Sequence, residues 1–129
     1  MELDIEKEIK IVFIAAFIID MIFGLWYLIS PELWYAAVNW PFSDPVAARI
    51  VGSLLTALAI INLKAFKEAD QWEKIENIVI YSTIWCILGS ISMIVGHIIF
   101  NLPLGAIVNT VLLIVFAILM GHIYIQKRK

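Results

Sequence analysis

The sequence is poor in residues that do chemistry. It has one cysteine, Cys86, two histidines, His97 and His122, and only 16% charged residues. A lone cysteine excludes an intramolecular disulfide and a CxxC redox pair. With no HxxxH or ExxH spacing, and with the histidines at opposite ends of two apolar segments, no metal site of ordinary composition is expected. The apolar segments hold no Ser–His–acid order, no glycine-rich phosphate loop and no paired carboxylates. No cofactor is expected, and nothing points specifically to catalysis. Basic residues form no surface beyond the C-terminal tail, which argues against a nucleic-acid partner. The opening "MELDIEKEIK" lacks the basic n-region and small-residue cleavage site of a signal peptide, so the first apolar segment is expected to stay in place.

What the chain does have is hydrocarbon. Of its 129 residues 63% are hydrophobic, and its mean hydropathy is +0.96. A soluble domain is about half apolar and about a quarter charged. The excess falls into four blocks, predicted as helices over 11–29, 46–66, 78–99 and 104–125. Each approaches the ~20 residues that an α-helix needs to cross ~30 Å of hydrocarbon. The sequence therefore predicts an all-α protein, an integral membrane antiparallel four-helix bundle that forms a single domain over residues 1–129.

The positive charges give the bundle a direction. Lys7, Lys10, Lys64, Lys67, Lys74, Lys127, Arg128 and Lys129 belong to one side of a four-span chain, and Arg49 alone to the other. Lys/Arg excess in short loops marks the cytoplasmic side. Both termini and the second connection are therefore expected in the cytoplasm of a cell-membrane protein. The charged stretch "KAFKEADQWEKIEN" reads as a solvated connector, and the basic tail as an anchor on anionic lipid. On the opposite side, "PELWYAAVNWPFSDP" carries Trp34, Tyr35 and Trp40. These either anchor the segment in the headgroup layer or cap a ligand entrance; general enrichment at interfaces favours anchoring.

Small and weakly polar residues mark the faces expected to meet inside. They are Ala16, Asp20 and Gly24 on the first helix, and Arg49, Gly52, Ser53 and Thr56 on the second. The third carries Ser82, Cys86, Ser90 and His97, and the fourth Ala106, Asn109, Thr110 and Gly121. Such stripes let helices approach and hydrogen-bond in lipid.

Asp20 is the conspicuous member. About ten residues from the end of its helix, it lies ~15 Å deep at 1.5 Å per residue. Insertion scales put the cost of Asp there at ~2.5–3.5 kcal/mol, so an intramembrane acid is a functional-site hypothesis by default. Protonated, it donates a hydrogen bond; ionised, it needs a cation. Arg49 either reaches toward it or snorkels outward, while Thr56 and Ser90 stand closer to its depth. Together Asp20, Arg49, Thr56, Ser90, His97 and Asn109 are the candidate lining of a polar, outward-facing pocket.

Asn39–Ile60, "NWPFSDPVAARIVGSLLTALAI", resembles the second-helix opening of small prokaryotic four-span membrane proteins, loosely DoxX-like in layout. The resemblance covers about one sixth of the chain; it implies the four-helix fold and no catalytic residue or substrate. The expected partners are the lipid bilayer, a proton or small ligand, and a second copy or another membrane protein. Three functions fit: a proton-linked carrier or small-ligand binder, an accessory or structural subunit whose polar residues lock helices together, and a lipid-modifying isomerase.

Overall fold

The computed structural model describes residues 4–41 and 43–129; Glu2 of "MELDIEKEIK" and Phe42 of the Trp-rich stretch lie outside them. The described residues form five helices, α1 Ile5–Ile29, α2 Pro31–Val38, α3 Pro45–Lys67, α4 Trp72–Phe100 and α5 Gly105–Lys127. All but α2 are long and apolar enough to cross a membrane, which is compatible with a multi-pass integral membrane protein.

Two of these helices start earlier than hydropathy alone predicts. α1 begins at Ile5, where the Asp4 carboxylate accepts from the Glu6 N–H, and α4 begins at Trp72. Charged residues end a hydrophobic block without ending a helix. Ile9, Val12 and Phe13 on α1, and Ile75 and Val79 on α4, keep helical spacing through the charged segments and are buried. The expected fourteen-residue connector thus shrinks to the turn Glu68–Gln71. At the other end α2 and α4 each stop on a left-handed asparagine, Asn39 at φ 53° and Asn101 at φ 49°. Asparagine tolerates that conformation better than other side-chain-bearing residues.

α1 and α3 pack against each other along most of their length, and α4 packs on α5; contacts between the two pairs are fewer. The tightest approach is between Gly24 and Gly52. A Cβ on Gly52 would lie 2.5 Å from the Leu28 nitrogen and 2.8 Å from the Gly24 carbonyl oxygen. A Cβ on Gly24 would lie 2.7 Å from Thr56 Oγ1. In lipid there is little hydrophobic drive between helices, so such close backbone contact is a main source of their association. It also sets the register: Leu28 stands level with Gly52, and α3 begins seven residues beyond it, ~10 Å past the end of α1 at 1.5 Å per residue.

The dense core lies where α1 starts and α5 ends. There Ile9, Phe13, Ile75, Met120 and Ile123 are fully buried. Polar contacts lie around it, with Glu8 3.7 Å from the His122 ring and Glu76 3.5 Å from Arg128, whose guanidinium also lies over the Tyr124 ring. Toward the α2 end the two helix pairs separate and enclose a cavity.

Gly52→Ala is expected to cost about 1–3 kcal/mol, as overpacking does, because the new methyl group meets backbone that cannot move aside. Gly121→Ala, whose Cβ would meet only Thr83 Cγ2 at 4.0 Å, is expected to be near neutral. Thermal unfolding of both variants in detergent measures the contrast.

Candidate functional site

The cavity encloses about 360 Å³ between the two helix pairs. On α1 its lining runs from Ala16 to Tyr27, so it is ~16 Å long at 1.5 Å per residue. Most of the wall is apolar or aromatic. Polar groups cluster at two levels: Asp20, Asn62 and Ser82 toward the dense core, and Tyr27 with Asn109 nearer α2.

Asp20 receives its hydrogen bond from Asn62, whose Nδ2–H donates to Asp20 Oδ2 at 2.9 Å. The helix register explains why hydropathy does not reveal this partner. If α1 and α3 met the surface together, Asn62, seventeen residues from Pro45, would lie ~25 Å down, far below Asp20. With Leu28 level with Gly52, Asp20 is eight residues and Asn62 ten residues from that common level. They are then ~3 Å apart along the axis, within side-chain reach.

The same offset removes Arg49 from the site. Arg49 sits above the end of α1, where its guanidinium donates to Glu32 Oε1 at 3.1 Å and to the Pro45 carbonyl at 3.3 Å. The Glu32 carboxyl is held below its ordinary range, first by its own backbone N–H, with desolvation opposing, and then by the Arg49 guanidinium. This pair ties α2 to α3 at an exposed position where screening is strong. Among the described residues no lysine or arginine lines the cavity, and no ion pair includes Asp20.

Of the six candidates, Asp20 and Asn109 line the cavity, while Arg49, Thr56, Ser90 and His97 do not. Thr56 returns its hydroxyl proton to the Gly52 carbonyl at 2.8 Å, and Ser90 to the Cys86 carbonyl at 2.7 Å. Ser and Thr in apolar helices commonly satisfy themselves this way, which leaves no donor for a neighbouring helix. Thr110 Oγ1 lies 3.2 Å from the Ala106 carbonyl and 3.1 Å from His97 Nε2, so this pair joins α4 to α5 away from the cavity. Asn109 Nδ2–H donates to the Tyr27 hydroxyl at 3.0 Å.

Three residues carry more of the site than their sequence context suggests. Asn62 is 1% exposed, and its Oδ1 is buried with no hydrogen-bond partner. Ser82 is 4% exposed and its Oγ is in the same condition. Trp34, one of the residues expected in the headgroup layer, is 8% exposed. Its ring meets Phe23 and Trp26 at 5.3 Å and Tyr27 at 5.5 Å, each edge-on, and it lines the cavity. With Tyr35 and Trp40 also in the lining, α2 and the segment after it form the cavity's cap. The Tyr35 hydroxyl donates to the Asp44 carbonyl at 2.9 Å and closes that cap onto the start of α3.

Fold and site together define a helical, membrane-compatible bundle with an apolar interior cavity and a few buried polar groups. Compared with protein-family models, with curated proteins and with solved structures, the chain matches none.

Removing the Asn62 amide while keeping Asp20 leaves a buried carboxyl without its partner. Asn62→Leu is expected to destabilise by about 1–3 kcal/mol, and Asp20→Leu with Asn62→Leu by clearly less than the sum of the single changes. A double-mutant cycle on thermal stability measures the coupling.

Proposed function

We propose that the protein is an integral membrane protein that binds or carries a small, largely apolar ligand in the cavity between its two helix pairs. The observation that carries this reading is the cavity itself, with mostly apolar walls and a few placed polar groups, the usual make-up of small-molecule sites. A chain under no demand for occupancy has larger side chains available at Ala16, Ala48 and Ser82.

Part of the polar set ties helices together, with Asn62–Asp20, Asn109–Tyr27 and His97–Thr110 crossing between them, and part does not. Thr56, Ser90, Ser53 and Ser92 donate within their own helices and so lock nothing to a neighbour. The carrier reading places α1, α3, α4 and α5 as an antiparallel transmembrane bundle with both termini cytoplasmic. The pairings 20 with 62 and 24 with 52 on α1 and α3, and 97 with 110 and 89 with 113 on α4 and α5, support alternating directions. The distribution of lysine and arginine supports the orientation. The cavity then lies on the extracytoplasmic side of the dense core and is capped there by α2. The DoxX-like resemblance of Asn39–Ile60 belongs to the same proposal and concerns the fold alone.

Orientation is tested with Cys86→Ser as background. A membrane-impermeant maleimide is expected to label Ser43→Cys in intact cells, and Gln71→Cys only after permeabilisation; the reverse pattern would invert the bundle. Occupancy is tested with 1-bromooctane, whose bromine quenches tryptophan on contact. Trp34, Trp40 and Trp85 line the cavity, so bilayer-reconstituted protein should show a saturable quenching component that Ala48→Phe, which narrows the site, removes. Quenching that rises linearly and equally in both proteins would exclude a binding cavity.

A further inference from the structure

The polar floor of the cavity holds an acid, an amide and a hydroxyl and, among the described residues, no cation. Among those residues Asp20 makes one hydrogen bond, accepted from Asn62. Asn62 keeps a second N–H, but its Oδ1 and the Ser82 Oγ are buried and without partners among the described residues. An unpaired polar atom of this kind costs about 1–3 kcal/mol, so two in one cavity, beside an acid, call for a common partner. Asn62 and Asp20 are in direct contact, and Ser82 lines the same floor one helical turn from Cys86.

We propose that this floor receives the protonated amino group of a lipophilic primary amine, with its hydrocarbon body lying along the cavity toward α2. The inference rests on the ligand-binding reading above and names its ligand class. An ammonium group carries three N–H donors and one positive charge. The floor presents three acceptors, Asp20, Asn62 Oδ1 and Ser82 Oγ, and one ionisable acid. With Arg49 held by Glu32 outside the cavity, no side chain competes for the carboxylate. Above the floor, Phe23, Tyr27 and Trp34 supply aromatic surface for the chain. From Asp20 to Tyr27 the cavity runs ~10 Å along α1 at 1.5 Å per residue, about the reach of an extended eight-carbon amine. A fatty acid would set its carboxylate against Asp20, and a lipid acyl chain would leave both acceptors unpaired.

The test is calorimetric titration of the protein in zwitterionic bilayer discs, with protein-free discs subtracted. The probes are n-octylammonium, n-octyltrimethylammonium and 1-octanol. Octylammonium should bind saturably at one site per chain, and about tenfold or more weaker to Asp20→Asn, as expected for a lost charge-assisted hydrogen bond. 1-Octanol should bind wild type and Asp20→Asn alike, which also shows that the variant keeps its cavity. Ser82→Ala should weaken octylammonium binding by about threefold or more, in line with one lost neutral hydrogen bond. Octyltrimethylammonium, which has the charge but no N–H, should bind more weakly than octylammonium. If octanol and octylammonium bind wild type equally and neither responds to Asp20→Asn, the cavity binds ligands but the amine assignment is overturned. If the quaternary probe binds as tightly as octylammonium, the three-acceptor recognition is overturned. If no probe binds saturably, the ligand-binding reading fails along with it.

Discussion

The contact between the backbones of α1 and α3 at Gly24 and Gly52 governs the rest of the arrangement. Glycine at both points brings the helices to the distance at which a single methyl group would collide with main-chain atoms. The contact holds the pair by van der Waals packing, which matters in lipid because the solvent is as apolar as the side chains. It also fixes how far α3 is displaced along α1. From that displacement follow the meeting of Asp20 with Asn62, the departure of Arg49 to the outer rim, and the space that α2 must cover.

A tight pair facing another pair leaves a choice about the volume between them. At one end the chain fills it with isoleucine, phenylalanine and methionine, and polar contacts such as Glu76 with Arg128 lie around it, where α1 and α4 run past the hydrophobic blocks into charged sequence. At the other end apolar and aromatic walls with a few small or polar positions stand apart, and Trp34 is used to close the top instead of filling the middle.

Much of this was legible beforehand, and the reasons for the rest are specific. Four apolar segments and the inward stripe of α4, Ser82, Cys86 and Ser90, were readable because length and period are local properties of the chain. Helix starts at Ile5 and Trp72 were not, because charge was taken as the end of a helix when it marked only the end of the hydrocarbon. The partner of Asp20 was not readable because depth was counted from each helix's own end, and two ends need not share a level. A glycine on each of two helices hints at a close approach, but which glycine meets which, and hence the offset, is a tertiary fact. Thr56 and Ser90 were plausible partners by depth and lost that role to their own backbone carbonyls. Trp34 followed a statistical preference for interfaces, yet its ring is placed by Phe23, Trp26 and Tyr27.

Asp20 in mid-helix is sustained by one neighbour, and that neighbour is itself incompletely satisfied. A carboxyl kept only for packing would be expected among groups that use up every lone pair and proton, because half-satisfied networks are less favourable than an apolar interior. Here the opposite holds: the hydroxyls that could complete the network bond within their own helices, while Asn62 Oδ1 and Ser82 Oγ remain unmatched beside the cavity. The bond from Asn62 to Asp20 joins α3 to α1 without using every polar atom around it. The two atoms it leaves unmatched, Asn62 Oδ1 and Ser82 Oγ, are what the proposed ligand site rests on.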